Sequence, residues 1–373
     1  MNMRTITDAK KIFRVGEPEL PKIEEIQIHF SKIWESKNVT NFGTYFKLFE
    51  NALKEYLKVE HVIVFSNGTS ALEALIALIC PQKSKVITSA FTFNATASAI
   101  VRNLLTPCFT DISKSDGNID TNKILNVLDD QVGAILGVHC YGFPCDIEAL
   151  TDISVSRGIP VIYDAAHAMG AKYQNMHLAG FGDASILSFH ATKVFSCIEG
   201  GAVVTANGSL ANELKKYRNF GFDEDKNAKS LFGTNSKLSE LHAAVGLAQL
   251  NSLDDVLETR REIYKIYAQS LTPIAGLSML KPRKGTHINA GYVPITLQGD
   301  KNLRDDVIKK LDEMGIYAKA YFNANLSELT NSIGDDLGNT NHLKERVLCL
   351  PIHSTMRRVD VEYIVNSIES CLH

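Results

Sequence analysis

Residues 184–205 read ASILSFHATKVFSCIEGGAVVT, and the prediction of the fold starts from them. Its two apolar runs, 184–190 and 201–205, have the length and β-branched content of strands, and polar residues that include Lys193 connect them. Strands that are apolar on both faces are typical of sheets covered by helices on both sides. We therefore predict that Lys193 lies just beyond the carboxyl end of a buried strand.

The chain before this stretch alternates between strand-like and helix-like segments. The strand-like runs are 61–66, 85–90, 132–139 and 159–165. The helix-like segments are 70–79, 95–103 and 146–157, and the last of them ends at Gly158 and Pro160, a typical stop signal. This alternation predicts an α/β fold with a mainly parallel sheet.

The pattern changes after about residue 205. Helices are predicted at 237–251, 253–271 and 303–314, and strands at 290–297 and 316–320, followed by two further segments. Such a mixture is typical of an α+β unit. We predict two domains: a large α/β domain at 1–250, which includes the N-terminal segment, and a small C-terminal α+β domain at 251–373.

Composition excludes several classes of protein. A formal net charge of -3 over 373 residues gives no basic footprint for nucleic acid. The first 21 residues have scattered charges and no apolar run, and the apolar stretch 71–80 is interrupted by Glu73, so neither a secretory signal nor a membrane span is expected. The seven cysteines are an odd count, and only Cys140 and Cys145 lie close together, so we expect reduced thiols in a cytoplasmic protein without a metal site.

Ligand sites in such sheets lie at the carboxyl ends of the strands. The first strand is followed by SNGTSAL at 66–72, where hydroxyls and backbone amides at a helix start can bind a phosphate. A simple capped helix start explains the same residues equally well. The segment is not a GxxxxGK[ST] loop, and no GxGxxG follows a strand, which argues against a nicotinamide dehydrogenase.

Two later strands end in ionisable residues. Asp164 closes an apolar strand, where a carboxylate needs a cation or hydrogen-bond donors, and capping of the next segment is the alternative role. His167 is as compatible with packing as with ligand contact. Lys193 near a strand end can be partly desolvated, which makes its amine a nucleophile, although a solvated lysine is the ordinary case. Along the chain, a helix start that suits a phosphate comes first, then an acidic residue and then a lysine. This is the order that a pyridoxal-phosphate (PLP) site requires.

The motifs containing these residues resemble the DegT/StrS family of sugar aminotransferases, which are fold-type-I PLP enzymes. The similarity is strongest in SFHATKVFSCIEGGAVVT, and it extends over nearly the whole chain. The other matching segments, in order, are TNFGTYFKLFE (40–50), SNGTSAL, FTFNATASAI (91–100), VHCYGFPCDIEAL (138–150), YDAAHAMGA (163–171), RNFGF (218–222), GTNSKLSELHAAVGLAQL (233–250) and LCLPIH (348–353). The resemblance implies a large domain with a mainly parallel, mixed seven-stranded sheet flanked by helices, and a smaller α+β domain.

The resemblance also implies roles around the cofactor ring. Lys193 would carry the PLP and later move a proton, and Asp164 would pair with the pyridinium nitrogen. His167 would lie near the cofactor's phenolic oxygen, and Phe93 would stack on the ring. A related dehydratase branch has His where Lys193 stands, so the lysine favours transamination.

A second group of implied roles concerns the phosphate. Gly68, Thr69 and Ser188 would form its cradle, and Asn235 would reach it from the neighbouring subunit of a homodimer with shared active sites. Relatives usually have Arg where Lys237 stands, and because Lys lacks the guanidinium fork, no role carries over to it.

The expected reaction is transamination of a nucleotide-linked keto sugar, with L-glutamate as amino donor. The wording SFHATK resembles the branch that converts dTDP-4-keto-6-deoxy-D-glucose into dTDP-4-amino-4,6-dideoxy-D-glucose, a sugar of O-antigen and other lipopolysaccharide glycans. A UDP-linked 4-keto sugar and a C3 aminotransferase remain alternatives, and a non-catalytic regulatory protein that binds PLP or a sugar nucleotide is a remote one. Lys319 and Tyr321 lie where relatives place substrate-facing loops.

Overall fold

The computed structural model describes residues 11–80, 85–324, 326–329 and 336–372. Its strands are β1 (Phe13–Arg14), β2 (His61–Phe65), β3 (Lys85–Ser89), β4 (Thr106–Thr110), β5 (Val132–Val138), β6 (Val161–Asp164), β7 (Lys172–Tyr173), β8 (Met176–His177), β9 (Ala184–Ser188), β10 (Gly201–Thr205), β11 (Leu277–Met279), β12 (Thr286–His287), β13 (Val293–Leu297), β14 (Ile316–Tyr317) and β15 (Val347–Leu350). Its helices are α1 (Ile23–Ser36), α2 (Thr44–Leu57), α3 (Gly68–Ile79), α4 (Asn94–Arg102), α5 (Thr121–Val127), α6 (Ile147–Arg157), α7 (Gly208–Tyr217), α8 (Glu240–Asn251), α9 (Leu253–Leu271), α10 (Lys301–Glu313), α11 (Leu326–Leu329), α12 (Gly338–Arg346) and α13 (Arg358–Leu372).

Seven strands form the main sheet, in the order β2-β10-β9-β6-β5-β3-β4. Strand β10 pairs antiparallel with β2 and β9, and the remaining neighbours are parallel to each other. Every residue of β5 and β6 is buried, because helices cover both faces of the sheet. The predicted α/β fold with a mainly parallel, mixed seven-stranded sheet is confirmed.

Local signals explain where the helices begin and end. The Asn67 side chain caps α3 by accepting a hydrogen bond from the Ser70 amide, and Asp146 caps α6 in the same way at Ala149. Helix α6 ends at Gly158, whose φ of 66° is the left-handed conformation that glycine adopts most readily.

Several predicted boundaries were wrong by a few residues. The helix predicted from residue 237 begins at Glu240, since Ser239 accepts from the His242 amide and acts as its cap. The strand predicted from residue 290 begins at Val293, because Ala290 has a φ of 50° that no strand residue adopts. Strand β4 and helices α1 and α2 were not predicted.

A second core lies in the C-terminal part of the chain. The antiparallel sheet β11-β13-β15 packs with α9, α10 and α13 around residues such as Val293 and Ile364. Helix α9 places Leu257 in the core of the main sheet and Tyr267 in this second core. Phe13 also belongs to the second core, and β1 pairs with β14. The domain division at residue 250 stays a prediction.

No helix in the described residues has both the length and the hydropathy of a membrane span. The seven cysteines are all buried and unpaired.

Candidate active site

A cavity of about 360 Å³ lies beyond the carboxyl ends of the central strands. Among its lining residues are the first residues of α3, the ends of β6 and β9, and three aromatic residues from the second half of the chain: Tyr292, Tyr321 and Phe322. Two grooves of similar size, about 390 and 440 Å³, lie around Lys281 and Tyr45, and neither is lined by a predicted site residue. Because ligands bind at the carboxyl ends of strands in open α/β sheets, the cavity is the candidate active site.

Asp164, the last residue of β6, is 6% exposed. Its Oδ2 accepts a hydrogen bond from Thr96 Oγ1 at 2.9 Å, and its Oδ1 accepts one from the Ala166 amide at 3.1 Å. Burial raises the pKa of the Asp164 carboxyl, while these donors and Lys193 act in the opposite direction. A carboxylate in this environment is stabilised further by any cation that enters the cavity.

Lys193 follows β9 on a turn in which its amide donates to the His190 carbonyl at 2.9 Å. Its Nζ lies 3.4 Å from the hydroxyl of Tyr292. Burial lowers the pKa of the Lys193 amine to about 8, although the Asp164 carboxylate works against this shift. A minority of the amine, but far more than in an ordinary lysine, is therefore neutral near physiological pH, and this neutral form is the one that acts as a nucleophile or a proton acceptor.

His167 lies in the cavity wall between two loops. Its Nδ1 accepts a hydrogen bond from the Tyr141 amide at 3.2 Å, so the neutral ring carries its proton on Nε2. Burial, and to a smaller extent Lys193, keeps the pKa of His167 well below its usual value. The ring lies nearly parallel to that of Phe322, with the two centroids 5.7 Å apart. A neutral histidine in this position is a hydrogen-bond donor with a fixed orientation.

The start of α3 forms a concave wall with β9 and β10. Gly68 and Thr69 line the cavity opposite Ser188, and a Cβ on Gly68 would stand 3.0 Å from the Ser188 Cβ. A Cβ on Gly201 would stand only 2.5 Å from the Gly68 amide nitrogen. The glycines therefore let the backbone amides and hydroxyls approach closely, as an anion at a helix N-terminus requires.

Of the other predicted residues, two line the cavity and two lie outside its lining. Phe93, just before α4, is 59% exposed and lines the cavity. Tyr321 lines it as well, whereas Lys319 is exposed and not among the lining residues, and its backbone pairs with Cys349. Asn235 is exposed and lies outside the cavity of its own chain, where its Oδ1 accepts from Lys237 Nζ at 2.6 Å.

Sequence reasoning missed several residues that line or support the cavity, among them Thr96, His190, Glu199 and Tyr292. Thr96 lies inside the quoted segment FTFNATASAI, but nothing in that segment indicates a hydrogen bond to Asp164. His190 and Glu199 flank Lys193 in sequence, and both line the cavity with 3.5 Å between Nε2 and Oε1. Tyr292 is 99 residues from Lys193, and no local pattern signals the contact.

Comparison with known proteins points to the same family as the sequence motifs. The sequence matches the model of the DegT/DnrJ/EryC1/StrS aminotransferase family over residues 21–369. It is 38% identical over 364 residues to the dTDP-4-amino-4,6-dideoxy-D-glucose transaminase of Shigella dysenteriae, covering 96% of this chain and 98% of that protein. It is 33% identical over 356 residues to the protein of the same name from Escherichia coli, covering 93% and 95%.

A solved structure supports the same conclusion. The crystal structure of DesI in the presence of its TDP-sugar product superposes with a TM-score of 0.91 at 29% identity, covering 98% of this chain and 93% of that one. The sequence match, its coverage and the shared fold all agree with the motifs. The chain belongs to the DegT/DnrJ/EryC1/StrS aminotransferase family.

Proposed function

We propose that the protein is a PLP-dependent aminotransferase that converts dTDP-4-keto-6-deoxy-D-glucose into dTDP-4-amino-4,6-dideoxy-D-glucose, with L-glutamate as amino donor. The observation that carries the proposal is that Lys193, whose pKa is lowered to about 8, and the buried Asp164 line the same cavity. The names of the two curated relatives support the choice of substrate. The product would serve the synthesis of a surface glycan such as O-antigen.

The residues of the cavity fit PLP. Asp164 would pair with the ring nitrogen, since a carboxylate buried at a strand end is stabilised by a protonated pyridine. Gly68, Thr69 and Ser188 would hold the phosphate at the start of α3, where added Cβ atoms would fill the space. His167 would donate its Nε2–H to the phenolic oxygen, and Phe93 would cover the ring.

When bound, PLP would supply the electron sink that makes the Cα hydrogen of the amino donor acidic. The chain's own contribution is the proton transfer: Lys193 Nζ, in its neutral form, would accept that proton and release it again within the cavity. The aromatic wall of Tyr292, Tyr321 and Phe322 would keep bulk water away from Nζ. The Asp164 carboxylate would maintain the charge on the ring nitrogen throughout.

A homodimer would complete the site. Asn235 is exposed in the single chain, and its backbone pairs with Asn219 in a loop anchored by the partly buried ion pair between Arg218 and Glu50 at 2.7 Å. We infer that this loop presents Asn235 to the phosphate site of a second copy. The amide oxygen accepts from Lys237, which leaves the amide NH₂ group as a donor for a phosphate.

The deciding experiment incubates the purified protein with PLP, L-glutamate and dTDP-4-keto-6-deoxy-D-glucose, and identifies the product by mass and NMR. An amine at C4 is the expected result. If glutamate bleaches the yellow cofactor but no product forms, the aminotransferase stands and the substrate is wrong, and UDP-linked 4-keto sugars and 3-keto sugars are tested next. A protein that stays yellow with glutamate is a binding protein, and the enzymatic proposal fails.

A further inference from the structure

Tyr292 comes from the part of the chain that builds the second core, yet its side chain ends in the cavity. The residue lies directly before β13, is 5% exposed, and lines the cavity wall. Its hydroxyl oxygen lies 3.4 Å from Lys193 Nζ. This distance is at the long end for a hydrogen bond, but such bonds in ligand-free catalytic sites often tighten when the ligand binds.

The backbone before Tyr292 is held from two sides. Asn289 donates from Nδ2 to the carbonyls of His167 and Met169, at 2.7 and 2.9 Å, which ties the segment to the loop after β6. Arg260 donates from Nε to the Ala290 carbonyl at 3.1 Å and from Nη2 to the Gly291 carbonyl at 3.2 Å. These bonds fix the origin of the Tyr292 side chain relative to the main sheet.

Arg260 is itself fixed. Its side chain is 4% exposed and pairs with Glu19, with 2.8 Å between Nη1 and Oε1. Glu19 in turn accepts from the amide and hydroxyl of Ser354, at 2.7 and 2.6 Å. A buried guanidinium with a hydrogen bond at each of its three nitrogens has few alternative positions, so the two carbonyls that it holds are fixed.

The Tyr292 ring is enclosed as well. Its centroid lies 4.5 Å from the His167 ring, 5.9 Å from the Tyr141 ring and 6.0 Å from the Tyr321 ring. Aromatic contacts at these distances are attractive and restrict rotation about the side-chain bonds. The hydroxyl therefore has a defined location next to the Lys193 amine.

The hydroxyl suits an amine in either protonation state. Burial raises the pKa of Tyr292, so the phenol stays protonated over the working pH range. A phenol donates a hydrogen bond to a neutral amine and accepts one from an ammonium group. The Tyr292 hydroxyl can thus stay hydrogen-bonded to Lys193 Nζ both before and after that amine takes up a proton.

We infer that Tyr292 is a positioning residue whose hydroxyl holds Lys193 Nζ in one place during the step in which that amine carries a proton. The inference rests on the proposed function, because it concerns the same lysine and the same proton. A free lysine side chain has several rotamers, and holding the reacting atom in one of them raises the fraction of productive geometries.

The test uses Tyr292→Phe, which removes the hydroxyl and keeps the ring. In rapid mixing of the PLP-loaded protein with glutamate, the rate constant at saturation should fall roughly 10- to 100-fold, a size typical of misplaced reacting groups. The glutamate concentration at half-maximal rate should change less than about twofold, because the hydroxyl does not bind the amino acid. Glutamate deuterated at Cα should show a larger isotope effect in the variant, since proton transfer becomes more strongly rate-limiting.

The matched control is Tyr267→Phe. Tyr267 is also buried in the second core and donates to the Pro351 carbonyl at 2.8 Å, but it lies outside the cavity lining. Its variant should lose stability, as removal of a buried hydrogen bond does, and keep the wild-type rate and isotope effect. Equal rates and isotope effects in Tyr292→Phe and wild type would overturn the inference.

A second readout does not depend on activity. In crystal structures of the cofactor-free proteins, Lys193 should have one side-chain conformation in the wild type and several in Tyr292→Phe. A Lys193 side chain that is equally ordered in both contradicts the inference. If the wild type itself does not react with glutamate, the proposed function has failed, and the conformation of Lys193 still decides the role of Tyr292.

Discussion

At the scale of single residues, the site depends on the buried carboxyl group of Asp164 and the half-buried amine of Lys193. The environment of Asp164 raises its pKa and that of Lys193 lowers its pKa, and burial is the main cause in both cases. Each group's charge partly reverses the shift of the other. A ligand whose charge neutralises one of these groups therefore shifts the pKa, and so the protonation, of the other.

Replacement of Lys193 by Ala should abolish transamination, because no other amine lines the described cavity. The variant should still retain some PLP without a covalent bond, through Asp164 and the phosphate cradle. The measurement is turnover with glutamate together with absorbance of the bound cofactor after gel filtration. Lys172→Ala, on β7 and outside the cavity, is the control and should be fully active. Normal turnover in Lys193→Ala would refute the assignment.

The reaction with glutamate should depend on pH through Lys193. Its amine must be neutral to accept a proton, so the rate should rise as the pH increases through about 8 and then level off. In Asp164→Asn, the charge that raises the pKa of Lys193 is lost, so the acid limb should move to lower pH. The plateau should fall by about 10²- to 10³-fold, as after loss of a preorganised electrostatic partner. A limb that moves to higher pH, measured by rapid mixing, would contradict this account.

At the scale of elements, the contact between α3 and β10 shapes the phosphate cradle. Gly201 opens β10, and a Cβ there would lie 2.5 Å from the Gly68 nitrogen and 2.6 Å from the Asn67 carbonyl carbon. Both of these atoms belong to the backbone, so no side chain can rotate away. The start of α3 must shift if any residue larger than glycine occupies position 201.

Gly201→Ala should therefore destabilise the protein by about 1–3 kcal/mol, the usual cost of overpacking, and weaken PLP retention. Urea unfolding and equilibrium dialysis of PLP measure the two effects. Gly180→Ala is the control, because a Cβ at Gly180 meets only Val59, at 3.6 Å, and both quantities should stay near wild type. Loss of stability with unchanged PLP affinity would show that the position of α3 does not control the cradle.

Elements with strong local signals were predictable, and elements defined by distant contacts were not. Six strands of the main sheet were recognised by their apolar runs, but β4, with the sequence TPCFT, contains a proline and two threonines and gives a weak pattern. Helix α2 places Phe46 and Phe49 in the core, and its first amides bond to the buried Glu240 carboxylate, nearly 200 residues away. Contacts between residues so far apart in sequence cannot be recognised in a short sequence window.

The site followed the same rule. Asp164 and Lys193 stand at the ends of adjacent strands, so their proximity follows from the sheet order and could be predicted. Tyr292 and Phe322 reach the cavity from the C-terminal part of the chain, and both belong to an aromatic cluster with Tyr141. The backbone before Tyr292 is held by side-chain bonds of Asn289 and Arg260, which no motif indicates.

At the scale of the whole molecule, the cavity joins the two halves of the chain. Its floor comes from the main sheet, and its aromatic wall comes from residues 292–322. The Arg218–Glu50 ion pair, covered by the rings of Phe42 and Phe46, anchors the loop that holds Asn235 outside this cavity. In the proposed dimer, this exposed residue would serve the site of the partner, and that proposal can be tested directly.

Mixing of two inactive variants tests the shared site. In a hybrid dimer of Lys193→Ala and Asn235→Ala, one site would combine an intact Lys193 with the partner's intact Asn235, and the other site would lack both. Random exchange at equal amounts should thus restore about a quarter of all sites, because half of the dimers are hybrids. The assay is run at a PLP concentration at which each variant alone is inactive.

The double variant Lys193→Ala/Asn235→Ala, mixed with wild type, gives the opposite test. If Asn235 serves the partner's site, hybrids contain no intact site, and about a quarter of the sites remain active after exchange. If Asn235 serves its own site, each hybrid keeps one intact site, so about half of the sites remain active, and the first mixture shows no recovery. Exchange is verified with a tagged subunit, so that a lack of recovery reflects the position of Asn235 and not a failure to mix. Recovery in the first mixture together with quarter activity in the second would establish that each active site needs both copies.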